Sequence, residues 1–280
     1  MGAIPKLAAV VPASRLDVRP APEMVSSGIP QLDLLTGGLA RGCLTEICGL
    51  ASSGRTSVLL FALARATQRG EVCALVDASD AFDPASAAAA GMEMSRLLWV
   101  RCGEKSPSAG CAKTGAFRGM PSGILRAAEK RFGFSRCESQ LGRMLKVTDL
   151  LLQSNGFGMI ALDLGDVPVS SARRIPLASW FRFRRAIEHT PTALLVLEQQ
   201  PIAGSCSSVL LKLSGARSQR RLSAVSSQLS GPPYSELPHS ELLDQFEITA
   251  ELLCSRLERK LERKPAQSTA SFKNRAAWAR

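Results

Sequence analysis

From Glu46 onward the chain reads Glu-Ile-Cys-Gly-Leu-Ala-Ser-Ser-Gly-Arg-Thr-Ser. This is the spacing G-x-x-x-x-G-K-[ST] of a phosphate-binding loop, with Arg55 in the lysine position. Such a loop works because backbone N–H groups and the positive end of the following helix surround phosphate oxygens. Gly49 and Gly54 permit the turn and the close approach to a ligand, and Ser52, Ser53 and Ser57 lie within or beside the cradle. Thr56 is placed to offer its hydroxyl to Mg²⁺. Arg55 keeps the charge of a lysine but not its shape, because a planar guanidinium is wide where an ammonium is compact. ATP with Mg²⁺ is the cofactor pair this pattern points to, either as fuel or as a structural ligand. The same stretch could equally survive as a plain connector from strand to helix.

A second constellation is basic and aromatic: Arg173 and Arg174, then Trp180, Phe181, Arg182, Phe183, Arg184 and Arg185. Guanidinium groups interleaved with rings suit phosphate contact plus base stacking. Apolar residues three and four apart also mark a buried helix stripe, so the rings read equally as core. A third group is the basic tail from Arg256, which includes Arg259, Lys260, Arg263 and Lys264 and carries few acids. With a net charge of +11, these arginines and lysines point to an acidic partner, either nucleic acid or protein.

The elements that must position these residues alternate between strand and helix. A short helix is predicted over 29–35 between a Ser-Ser-Gly turn and a Gly-Gly stop, then a strand over 43–48 feeding the loop and a helix over 56–69. Strands follow at 72–77 and 97–102, with a helix near 84–90 between them. The rhythm breaks at 104–139, rich in Gly, Pro, Ser and Lys, which reads as a surface insertion. It resumes with a helix over 141–154, a strand over 157–164, a helix over 177–189 and a strand over 193–199. Further strands near 209–214, 220–228 and 246–254 read as antiparallel or mixed. Near-continuous apolar strands separated by helices mean an α/β fold: a mostly parallel sheet covered by helices on both faces, with antiparallel strands at the C-terminal edge. Residues 1–24 read as a loosely ordered arm, 25–255 as one core, and 256–280 as a disordered basic tail. The eight cysteines show no C-x-x-C pair and read as reduced thiols. No secretory signal or membrane-length apolar run is apparent, so a cytoplasmic protein is expected.

The segments Ser-Ser-Gly-Ile-Pro-Gln-Leu-Asp from Ser26, the loop itself, and Cys-Ala-Leu-Val-Asp-Ala-Ser-Asp-Ala-Phe-Asp-Pro from Cys73 resemble the bacterial RecA-type recombinases. The resemblance implies a RecA-like core and assigns roles to three further positions. Asp163 matches the aspartate that orients Mg²⁺, and Gln199 matches the glutamine that senses the γ-phosphate. Ser79 stands where those enzymes carry the glutamate that polarises the attacking water. No catalytic base is thus assigned, and both charged groups of the hydrolytic machinery are altered. Only residues 200–208 precede the next strand, too few for the family's DNA-intercalating loop.

Within that relationship, Leu-Asp-Leu-Gly-Asp from Leu162, Arg-Arg-Ile-Pro-Leu from Arg173 and Ser-Trp-Phe-Arg-Phe-Arg-Arg from Ser179 resemble the ImuA group, RecA-related accessory proteins of SOS mutagenesis cassettes also labelled SulA-like. This likeness implies a non-hydrolysing adaptor in translesion synthesis. Its expected partners are an error-prone DNA polymerase and an inactive Y-family-like polymerase homologue, with RecA and DNA as further candidates and no membrane. Two alternatives stay open: an active ATP-dependent DNA-binding recombinase, and a division inhibitor of the SulA type.

Overall fold

The computed structural model describes residues 21–103, 136–219, 245–257 and 268–275. A ribbon of β1 (Met24–Val25) and β2 (Leu39–Ala40) brackets helix α1 (Pro30–Thr36). Strand β3 (Leu44–Gly49) delivers helix α2 (Arg55–Gln68), and β4 (Cys73–Asp77), α3 (Pro84–Ala89) and β5 (Leu97–Arg101) follow. Beyond the break come α4 (Arg136–Gln153), β6 (Met159–Asp163), α5 (Val169–Ala172), α6 (Leu177–Ile187) and β7 (Ala193–Glu198). Strands β8 (Val209–Gln219), β9 (Gln245–Ser255) and β10 (Thr269–Arg275) complete the sheet.

Eight strands lie in the order β10-β9-β8-β3-β7-β6-β4-β5. The run from β8 to β5 is parallel, while β9 and β10 are added antiparallel. This is the mixed α/β sheet expected from the alternation. Strands β3, β4 and β7 are buried along their whole length, because helices cover both faces and leave no side for polar residues. One core packs α1, α2 and α3 through Leu32, Leu59, Leu63 and Ala87 onto Ile47, Leu75 and Leu197. The other packs α4 and α6 through Met144, Trp180 and Phe183 onto Leu44, Val76 and Leu162.

Local signals explain the helix starts. Asp33 accepts from Ser26 Oγ at 2.6 Å and from Ser27 Oγ at 2.6 Å, closing the turn that leads into Pro30 at the head of α1. Asp83 accepts from the backbone of Ala85 and Ser86 and caps α3.

Three expectations change. Thr269–Arg275 is a strand paired with β9, not part of a disordered tail. Its basic composition hides a period-2 pattern in which Phe272, 4% exposed, enters the first core beside Ile248 and Ala250. Helix α4 begins at Arg136, inside the stretch read as insertion. The aromatic run is divided: Trp180 and Phe183 are fully buried and meet edge to face at 5.8 Å, whereas Phe181 faces outward. The strand expected at 220–228, most of the insertion and residues 1–20 lie outside the described residues. Because β10 is integral to the sheet, Phe272→Leu is expected to cost about 1 kcal/mol of stability. A thermal melt checks this, and an unchanged midpoint would contradict the packing role.

Candidate nucleotide site and its surroundings

Strand β3 lies between β7 and β8, so its C-terminal end releases the loop at the centre of the sheet, directly before α2. Ser52 (φ 59) and Gly54 (φ 92) both adopt left-handed backbone. A Cβ on Gly54 would stand 2.4 Å from Ile248 Cδ1 of β9, so this glycine is demanded by conformation and by space. No acidic side chain occupies the first turn of α2 and no side chain caps it. Ser53 is buried, and its Oγ has no hydrogen-bond partner among the described residues.

Arg55 leaves this cradle. Its side chain is buried, with 8% of the residue exposed, and Nη1 donates to the carbonyl of Gly165 at 3.1 Å. Gln199 Nε2 donates to the same oxygen at 3.0 Å and to Val167 O at 3.3 Å. Gly165 N in turn donates to Asp163 Oδ1 at 2.9 Å. One carbonyl beyond β6 therefore ties the loop, β6 and the end of β7 together. Asp163, Asp166 and Thr56 line a cavity of about 40 Å³ beside Arg55 and Phe82. Burial holds the Asp163 acid above its ordinary range, and Asp77 and Asp166 push the same way, while the Gly165 N–H and Arg55 oppose them.

The turn after β4, where the resemblance would place a water-activating carboxylate, carries Ser79. Ser79 donates its backbone N–H to Asp77 Oδ1 at 3.1 Å. Asp77, fully buried, also accepts from the backbone of Ala81 and Phe82 and from Trp99 Nε1, so both of its oxygens are engaged by the turn after β4 and by β5. Asp80 is held by both arms of Arg101 at 2.8 Å, and that guanidinium lies 4.8 Å over the Trp99 ring. The Asp80 carboxylate holds Arg101 above its ordinary value. No free carboxylate remains at this turn.

ATP with Mg²⁺ fits these residues only in part. The backbone half fits, since the loop turns, the α2 N–H groups and the orphaned Ser53 hydroxyl form an anion-receiving surface. The charged half does not. The Arg55 guanidinium is buried and held against Gly165 O, Ser79 supplies no base, and a 40 Å³ cavity falls far below the several hundred Å³ of ordinary ligand pockets. Among the described residues no group of three or more His, Cys, Asp or Glu could hold a metal ion. A larger cavity of about 310 Å³ lies along α2 between Gly28, Phe61 and Arg65 and includes none of the loop residues.

Two features near the end of β7 escaped sequence reasoning. Glu46 and Glu198 are both buried, and Oε2 of each has no hydrogen-bond partner among the described residues. Glu46 Oε1 accepts from Ile202 N at 2.6 Å and Ala203 N at 2.9 Å. Burial and the nearby Glu46 carboxyl push the Glu198 acid up to about 12. The signal was legible: Glu46 lies inside, and Glu198 at the end of, a strand that is buried along its whole length. Second, arginines from three elements converge on the segment 200–208. Arg173 Nη2 donates to Gln200 Oε1 at 2.5 Å, Arg184 Nη1 to Ser205 O at 3.1 Å, and Arg256 Nη1 to Gly204 O at 3.3 Å and to Ser207 O. Arg182 instead forms an ion pair with Asp149 of α4, and Arg174 and Arg185 are exposed. Arg259, Lys260, Arg263 and Lys264 lie outside the described residues. Burial raises the Cys48 thiol to about 11 and the Cys73 thiol to about 12, which leaves both unreactive.

Comparisons with known proteins agree with this architecture. The RecA N-terminal domain family matches residues 10–106. The RecA protein of Nostoc punctiforme is 49% identical over 77 residues, which is 27% of this chain and 21% of that protein. RecA of Deinococcus radiodurans is 42% identical over 99 residues, 35% of this chain and 25% of its own length. The matched stretches thus span about a fifth to a quarter of the curated relatives. In three dimensions the chain is similar to the crystal structure of the RadB recombinase, with a TM-score of 0.51 and 17% identity over 89% of this chain and 96% of the other. The chain has a RecA-related, recombinase-like fold. Among the described residues no helix is long and apolar enough to cross a membrane.

Proposed function

We infer that the chain is a docking protein built on a RecA scaffold whose nucleotide site no longer hydrolyses ATP. The observation that carries this reading is the Arg55 guanidinium, buried and bonded to Gly165 O, where a phosphate-binding cation would face the loop. Ser79 and the fully engaged Asp77 and Asp80 support it from the other side of the site. The resemblance to the ImuA group names the process: SOS-induced translesion synthesis, with an error-prone polymerase and an inactive Y-family-like polymerase homologue as partners. The basic surface formed by Arg173, Arg174, Arg182, Arg184 and Arg185 is the proposed contact for those partners or for DNA.

One observation favours a second reading, residual nucleotide binding without turnover: Thr56 and Asp163 do share one cavity at the head of α2. ATP and Mg²⁺ would then act as structural ligands. Affinity capture from bacterial cells with damaged DNA tests the main reading. The wild-type chain and Arg55→Ala should recover the same polymerase-type partners. Recovery of a cell-division protein, or of no polymerase homologue, would overturn it. The tail's charges are best tested by substitution, since truncation at Arg256 would also remove β10.

A further inference from the structure

The outward face of α6 is unlike the outward face of an ordinary amphipathic helix. Its buried side is Ser179, Trp180, Phe183 and Ile187. Its outward side carries Leu177 at 55% exposure and Phe181 at 49%, one helical turn apart on the same ridge, together with Arg182 and Arg185. This apolar ridge runs alongside the segment 200–208: a Cβ on Gly204 would stand 3.7 Å from Leu177 Cδ2. The segment is pinned from below by Glu46 at Ile202 and Ala203, and from the sides by Arg173, Arg184 and Arg256. The acceptors of those three arginines are carbonyl and amide oxygens, which carry no charge, so each guanidinium keeps its full positive field.

We propose that the Leu177–Phe181 ridge and the arginines beside segment 200–208 form a docking surface for an acidic amphipathic helix of a partner protein. The inference deepens the docking reading above and rests on it. Charge complementarity selects the occupant: a chain of net charge +11 concentrates arginines around this ridge and requires carboxylates opposite them. The ridge selects a protein over a nucleic acid. Leu177 offers no flat face for a base, Arg182 is already neutralised by Asp149, and segment 200–208 is held at four points rather than free to intercalate. A helix laying leucines at i, i+3, i+4 and i+7 along the ridge, with Glu and Asp at its flanks, satisfies both features.

Fluorescence anisotropy with three labelled probes tests this: a helical peptide of that pattern, the same peptide with its leucines replaced by serine, and an oligo-dT strand. The leucine peptide is expected to bind about tenfold or more tighter than the serine control, and Phe181→Glu or Leu177→Glu to lose about tenfold. Arg184→Glu should weaken both peptides together. Phe181→Gln serves as a milder second variant, and unchanged melting of each variant shows that the fold is intact. Equal binding of the two peptides, or no loss in either ridge variant, overturns the proposal. Tight oligo-dT binding that falls in Phe181→Gln, with the peptides unbound, also overturns it and assigns the surface to nucleic acid. Polymerase partners still captured from cells in these cases would leave the docking reading standing without this surface.

Discussion

Given ATP and Mg²⁺, the purified protein is expected to release phosphate no faster than its Arg55→Ala variant. Phosphoryl transfer needs little covalent help from a protein; it depends on positioned charge around the transferring group and on an oriented nucleophile. Loss of one preorganised electrostatic donor typically costs about 10²–10³ in turnover, and loss of a general base about 10²–10⁴. Here the cation at position 55 is bonded to Gly165 O, and the base position is Ser79, flanked by carboxylates already committed to the backbone and to Arg101. Removing Arg55 therefore takes nothing further from catalysis. The measurement is steady-state phosphate release with and without Mg²⁺. Clear Mg²⁺-dependent hydrolysis that Asp163→Ala abolishes would show that the engine still runs.

Glu198→Gln is expected to stabilise the protein at neutral and alkaline pH and to flatten its pH dependence. The folded-state acid is pushed up to about 12 by burial and by Glu46, far above the ordinary value of 4.5. Between these two values the folded chain holds a proton that the unfolded chain releases, so stability falls as pH rises above 4.5. Each pH unit in that interval costs about 1.4 kcal/mol, which amounts to about 3 kcal/mol at pH 7. Glutamine is similar in size and neutral at every pH, with no proton to lose. Melting temperatures between mildly acidic and alkaline pH check this. The wild-type midpoint should decline across the range while that of Glu198→Gln holds steady. Parallel curves for the two proteins would show that Glu198 is already ionised in the native state.

The two glutamates also illustrate where sequence reading stops. A carboxylate inside an apolar strand flags itself as costly, but only the register of β3 beside β7 reveals that Glu46 and Glu198 answer each other. The same holds for the arginines. Arg173 and Arg184 were legible as a basic cluster, whereas Arg256, distant in sequence, joins them only because β9 pairs with β8 and ends beside segment 200–208. Strand β10 was hidden for a related reason. In a basic segment, a single buried Phe272 marks the covered face, and one residue makes no visible period.

By itself the sequence determined the α/β alternation, the parallel strands, the glycine loop at the head of α2 and the departures at Arg55 and Ser79, because apolar period, turn residues and residue chemistry act over short stretches of chain. Only the tertiary structure decided which way Arg55 points, that Phe181 faces outward while Trp180 and Phe183 are buried, and that Gln199 and Arg55 meet on one carbonyl. A long side chain reaches many partners, and its choice depends on acceptors brought near by strands far apart in sequence.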